Sequence, residues 1–450
     1  MSKRRYRGVS RCVSGLTAGA GIAALWLGAG SAWAQAEPVA ESPEQVRSRV
    51  QAVCAPYEAG VPADLDLQRT QSEVDRLQQN RLSGHLELAC QGWWAAVRRF
   101  RADSIAAIRF QATIAASLLW VGRSGDAFPI LLATREQLMP LAEVGRLEVA
   151  SLSGMIGGFY TFRRDIPRAV AELERAMQEQ ASDPDPSARE LRWTIAQNFG
   201  AILMAARQYD RSEKVLTGLL AEIESASPKP NPLLKAWVLS GLVNLEFRRE
   251  QYAKALNYSR VEVAWLEALG EVKGPELLMA RQNLSLTLAR LGIYDEAEAV
   301  MRAAIATTFD AVSDYQNNST DLRESLAELL LQRGRPLEAA QALREALALI
   351  EASQVKGSAR EMNSRRLLAR AYAALGDLGA AVEQYRVIET WIDSGGRGGE
   401  ALHRIGSLSG FARVLIELGD YEEARSVLGR AQAELAKAPA QRKEQAEVLR

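Results

Sequence analysis

One feature restricts the fold of this chain more than any other: a short motif recurs along it at an almost constant period. Leu291-Gly-Ile-Tyr-Asp-Glu-Ala297 matches Leu418-Gly-Asp-Tyr-Glu-Glu-Ala424, with further copies at Leu375-Gly-Asp-Leu-Gly-Ala-Ala381 and Arg333-Gly-Arg-Pro-Leu-Glu-Ala339. Weaker copies end at Ala127, Ala169, Ser212 and Ala255. Aligned on the last residue, the eight copies fall at 127, 169, 212, 255, 297, 339, 381 and 424, a spacing of 42 or 43 residues throughout. A fixed period of this length marks a stacked array of supersecondary units.

The copies share an internal grammar. Twelve residues before the aligned column sits a small residue: Ala115, Gly157, Gly200, Ser285, Ala327, Ala369, Ala412, with Val243 the exception. One step earlier stands a large apolar residue, such as Leu284, Leu326 or Phe411. Seven residues after the column alanine recurs, at Ala176, Ala304, Ala346 and Ala431. Between these positions apolar residues return every three or four residues, the period of an amphipathic helix. Each unit therefore reads as helix, tight turn, helix. Small residues let the two helices approach, glycine closes the first helix in a left-handed conformation, and tyrosine (Tyr209, Tyr252, Tyr294, Tyr421) packs across the hairpin. The junctions between units, including Ser182–Ser187, Ser313–Ser319 and Ser394–Gly399, are dense in Pro, Gly, Ser, Asn and Asp and read as loops.

The Leu-Gly, Tyr and Ala offsets resemble those of tetratricopeptide repeats (TPR), whose standard unit is about 34 residues. The longer unit here is similar to the repeats of kinesin light chain-type proteins. The resemblance covers about residues 103–437 and implies an all-α fold: an α-solenoid, a right-handed superhelix of about eight antiparallel helix-turn-helix units. It implies one continuous array at 103–437, with a helical cap before it and a capping helix after it at 438–450. Residues 35–102 hold a flexible lead-in and helices expected at 44–60, 64–82 and 84–101.

Residues 1–34 read as a signal peptide. Lys3, Arg4, Arg5, Arg7 and Arg11 precede an apolar Ala/Gly/Leu stretch, and Ala32-Trp33-Ala34 supplies a cleavage site after Ala34. The expected location is periplasmic or secreted, with no stable membrane insertion after cleavage. The whole chain balances 55 Lys+Arg against 55 Asp+Glu, and loss of the leader leaves a small acidic excess. That argues against nucleic-acid binding, which needs a basic excess. In an oxidising compartment the two remaining cysteines, Cys54 and Cys90, read as a disulfide; two buried free thiols are the alternative.

Chemistry is sparse. The sequence has two histidines, His85 and His403, and no Walker, H-E-x-x-H, G-x-S-x-G or C-x-x-C pattern. No catalytic residue, metal ligand or cofactor is expected. His85 reads as a helix-start residue, and Trp93 and Trp94 as core or cap packing. Function is expected from a protein or peptide held in a concave groove. In the resembled family this groove is lined by one side of each first helix, which here falls at Gln197, Asn244, Arg248, Gln282, Arg290, Glu324, Glu328, Arg366, Arg370 and Arg413. The first three repeats offer Trp120, Phe162, Met204, Gly154 and Gly158 instead. Arg366, Arg370 and Arg413 form a group suited to a carboxylate or another anion. The function so read is an exported TPR scaffold assembling a cell-envelope complex; the alternatives are a cell-envelope enzyme or a polysaccharide-binding module using Trp93, Trp94 and Trp120. At Ala297 a larger side chain should overpack the hairpin, whereas Glu298 reads as a solvated surface position.

Overall fold

A computed structural model describes residues 41–437 except 80–82, 122, 142–145, 164, 181–185, 228, 271–273, 308–315, 353–356 and 396–400. The expected signal peptide, most of the lead-in and the expected helix at 438–450 lie outside the described residues. All the regular structure among them is helical.

From Ile105 onward the helices fall into eight consecutive pairs. They are α4 Ile105–Trp120 with α5 Ser124–Leu138, α6 Arg146–Phe162 with α7 Ile166–Gln180, α8 Pro186–Ala205 with α9 Tyr209–Ser225, and α10 Pro232–Arg248 with α11 Tyr252–Ala268. The series continues with α12 Pro275–Arg290 and α13 Tyr294–Ala306, α14 Gln316–Gln332 and α15 Pro336–Ala352, α16 Ala359–Ala374 and α17 Leu378–Asp393, and α18 Ala401–Leu418 with α19 Tyr421–Lys437. Every second helix begins three residues before the aligned column. The helical hairpin read from the repeat is the hairpin observed. Two junctions are shorter than expected: α8 takes in Pro186 and Ser187, and α14 takes in Gln316 to Ser319. Proline suits a first helical turn, where its missing N–H costs nothing.

The chain divides into two compact units, with the division inside α10 between Leu245 and Glu246. In the first unit three helices precede the repeats: α1 Pro43–Cys54, α2 Leu67–Gln79 and α3 His85–Phe100. Ser42 starts α1 with a reciprocal capping box to Gln45. The helix expected to reach residue 60 stops at Cys54, because Pro56 lies in a 3₁₀ turn at Ala55–Tyr57. Helix α2 pairs with α3 as an additional hairpin, and α1 lies against α3 and α5 with Val46, Val50 and Val53 buried. Cys54 and Cys90 are joined, their sulfurs 2.07 Å and their Cα atoms 5.1 Å apart. Trp93 and Trp94 are buried beside them, and Trp94 Nε1 donates to the Cys54 carbonyl at 3.1 Å.

The small-residue columns meet as the sequence implies. Ser212 Oγ donates to the Gly200 carbonyl at 2.8 Å, and Ser285 Oγ to the Ala297 carbonyl at 2.7 Å. A Cβ on Gly157 would stand 2.9 Å from Leu173, and one on Gly200 2.5 Å from Leu216. The turn glycines Gly292, Gly334, Gly376 and Gly419 have φ between 68° and 85°, while Arg207 and Glu250 take the same place at 57° and 60°. In each hairpin the next N–H returns to a carbonyl near the helix end, as Ile293 to Leu288 at 2.9 Å and Gln251 to Glu246 at 2.8 Å. The tyrosine reading holds for Tyr252, which meets Phe247 edge-on at 5.2 Å; Tyr294 and Tyr421 are exposed instead.

Candidate functional site

The ten expected groove residues lie on the first helices of repeats 3 to 8. In the first unit, Gln197 is half-buried on α8 with no hydrogen-bond partner for its Oε1 among the described residues. Asn244 is exposed, and its amide turns back to the Ser240 carbonyl at 3.0 Å. Met204, expected on the groove, is 8% exposed and belongs to the interior. The side chains of Trp120, Phe162 and His403 lie outside the described residues. His85 does open α3, and burial lowers its pKa.

In the second unit the face is linked from one first helix to the next. Gln282 Nε2 on α12 donates to Ser325 Oγ on α14 at 2.8 Å. Arg290 lies 5.4 Å from the centre of the Phe247 ring, and Arg248 is exposed. Glu324 on α14 accepts from Asn363 Nδ2 at 2.8 Å and from the Ser364 hydroxyl, both on α16. Burial raises the Glu324 pKa, and those two hydrogen bonds oppose the rise. Glu328 faces Arg370 at 3.9 Å, a half-exposed pair of small value.

Arg366 and Arg370 sit one turn apart on α16, and Arg413 occupies the matching place on α18. Arg366 Nη2 donates to the neutral Asn363 Oδ1 at 2.7 Å, while its Nε has no hydrogen-bond partner among the described residues. Burial lowers the Arg366 pKa, and the neighbouring Arg370 charge adds to the effect. Tyr385 on α17 joins this group. It is buried against Gly410, where a Cβ would collide with the phenol oxygen. Burial raises the Tyr385 pKa, and the charges of Arg366, Arg370 and Arg413 oppose it. Other arginines of this unit differ: Arg302, Arg333 and Arg335 share Glu298, and Arg430 meets Glu389 and Asp393.

Tyr385, Asn363 and Ser364 were not legible as site residues. Tyr385 alone carried a signal, a phenol four residues past the aligned column where other repeats have Leu131, Leu173, Leu216, Met301 or Leu343. The reading of Glu298 changes. Glu298 is 8% exposed, not a solvated surface residue, because it receives Arg302 Nε at 2.9 Å and the arginines of the next hairpin turn. Trp93 and Trp94, at 3% and 8% exposed, pack in the core as read from sequence, and the alternative of a stacking platform falls away. Among the described residues no helix is long and apolar enough to cross a membrane, and no group of three or more His, Cys, Asp or Glu side chains could hold a metal ion.

Helical hairpins at a spacing of 42–43 residues, packed on their neighbours within each unit, define a TPR-type α-solenoid. No protein-family model and no curated protein matches the chain. Among solved structures it is similar to the apo form of the quorum sensor NprR from B. thuringiensis, with a TM-score of 0.51 and 15% identity over 78% of this chain and 99% of that one. A Rap protein complexed with competence and sporulation factor gives a TM-score of 0.49 and 14% identity over 90% and 100% of the two chains. A tetratricopeptide repeat protein from Parabacteroides merdae gives 0.44 and 14% over 72% and 98%. At such identities the likeness is one of fold.

Proposed function

We propose that this chain is a non-enzymatic scaffold, exported to the periplasm or secreted, that holds a protein or peptide partner in a groove along its first helices and so assembles a cell-envelope complex. The observation that carries the reading is Arg366, a largely desolvated guanidinium hydrogen-bonded to a neutral amide. A buried cation without a close counter-ion is costly unless something neutralises it. Glu324 and Glu328 act on Arg366, and Arg366, Arg370 and Arg413 all act on Tyr385, so the group holds three cations to two carboxylates. A single carboxylate from the partner, taken bidentately, matches that excess. Export is supported by the leader pattern and by the Cys54–Cys90 pair, which suits an oxidising compartment.

The test is selection from a displayed random-peptide library on the mature chain. Wild type should enrich peptides with a carboxylate at a constant place. Replacement of Arg366, Arg370 and Arg413 by Glu should abolish that enrichment while helicity by circular dichroism stays the same. Unchanged enrichment on the triple variant overturns the groove assignment. Failure of wild type to enrich any peptide overturns the reading of a peptide groove.

A further inference from the structure

We infer that Tyr385 is a recognition residue of the groove: its hydroxyl, standing in the gap at Gly410, donates to the partner carboxylate that Arg366, Arg370 and Arg413 attract. The inference rests on the peptide-groove reading above and names the atom over which the carboxylate is seated.

Two positions depart from the repeat together. Four residues after the aligned column, Leu173, Leu216, Met301 and Leu343 are fully buried, and repeat 4 has Ser259; repeat 7 alone has a phenol. In that column the side chain packs beneath the next first helix, as Leu216 does, 3.2 Å from a Cβ on Gly241. Tyr385 follows the same course against Gly410 and reaches further, so that a Cβ there would collide with the phenol oxygen. The oxygen thus fills the place of a side chain at 410, where repeats 5 to 7 have Asn283, Ser325 and Leu367. Gly410 and Arg413 lie three residues apart on α18 and share a helix face. The phenol ring is held by Phe411, stacked on it at 5.6 Å between centres.

The hydroxyl has no hydrogen-bond partner among the described residues. Burial raises the Tyr385 pKa against the three arginine charges, so the phenol stays protonated at neutral pH and remains a donor. A neutral donor beside guanidiniums suits a carboxylate, whose two oxygens accept from several donors at once. A hydrogen bond to a charged acceptor is worth more than one to a neutral amide, so the hydroxyl also sets the preference between the two.

The test takes a carboxylate peptide selected on wild type from the displayed library and a twin in which its Asp or Glu becomes Asn or Gln. Wild type should bind the carboxylate form more tightly. Tyr385→Phe keeps the ring and removes the oxygen; it should narrow that preference about tenfold while the unfolding midpoint stays the same. Y385L with G410S gives the two positions residue types of neighbouring repeats. It should narrow the preference as far, and serves if Tyr385→Phe does not fold. Full preference kept by either folded variant overturns the inference; if R366E, R370E and R413E together have abolished binding, the groove reading stands without it. A wild type that selects no carboxylate peptide overturns both.

Discussion

Arg207 and Glu250 stand where the helix must end in a left-handed residue, and neither is glycine. At φ of 57° and 60° each side chain carries the steric cost of that conformation, about 1 kcal/mol. The sequence already aligned them with Gly292 and Gly419, so this strain was legible before any coordinates. Arg207→Gly and Glu250→Gly should each raise stability by about 0.5–1 kcal/mol, the gain being trimmed by the extra freedom of glycine in the unfolded chain. Gly292→Ala should lose a similar amount; chemical denaturation of the three variants checks both signs. Asp75 is a different case, because nothing in its spacing announced burial. It lies 6% exposed on α2, accepting from Gln71 Nε2 at 2.9 Å, and burial pushes its pKa up to about 6 against the hydrogen bond. The folded state therefore holds this proton more tightly than the unfolded chain, whose value is about 3.9. Its penalty is absent below about pH 4, grows as pH rises to about 6, and is complete above that. Asp75→Asn should stabilise the protein by roughly 2–3 kcal/mol at pH 7.5 and by almost nothing at pH 4. A melting-temperature difference that does not shrink on acidification would sink this account.

At the scale of the hairpin, the small columns were readable because they recur, whereas contacts between neighbouring hairpins were not. The second helices are joined by ion pairs whose members lie 36 or 37 residues apart: Arg260 with Glu296 at 3.0 Å, Arg302 with Glu338 at 3.2 Å, and Arg386 with Glu423 at 2.9 Å. Glu174 and Arg211 repeat the pair with its signs exchanged. A reading aligned on residue type within one unit passes over a pattern that exists only between units, and sign exchange hides it further. These pairs are half-exposed, so each contributes about 0.2–1 kcal/mol and serves register more than stability. Glu298 shows the same blindness at higher stakes. From sequence it is one polar residue beside Ala297; in the fold Arg302, Arg333 and Arg335 converge on it. Its burial raises the pKa, but hydrogen bonds from Arg302 and Arg335 outweigh that and leave the carboxyl below its ordinary value. Ala297→Leu should cost about 1–3 kcal/mol by overpacking the hairpin. Glu298→Lys, which sets a fourth cation among three, should cost at least as much, about 3–5 kcal/mol. Equilibrium unfolding of the two variants compares them, and a near-neutral Glu298→Lys would contradict the network.

For the molecule as a whole, the repeat period announced the class of fold, and the chain groups into two compact units. Period alone does not show chemistry: positions 246 and 262 keep their spacing while carrying buried glutamates where repeats 3, 5 and 6 bury leucine or alanine. The Cys54–Cys90 bond offers a way to ask how far stability travels along such a chain. It closes a loop across 36 positions, ties the end of α1 to α3, and lies wholly inside the first unit. By chain entropy a loop of this size is worth about 3–4 kcal/mol, a figure that assumes the cross-link acts chiefly on the unfolded state. In a stacked array such a gain belongs to the repeats that touch the staple and fades with each interface beyond it. Replacing both cysteines by alanine should therefore lower protection from hydrogen exchange across α1 to α5 by a factor corresponding to about 2–4 kcal/mol. Exchange in α13 to α19 should stay at its wild-type level. Equal loss along the entire chain would mean that the array unfolds as a single cooperative body.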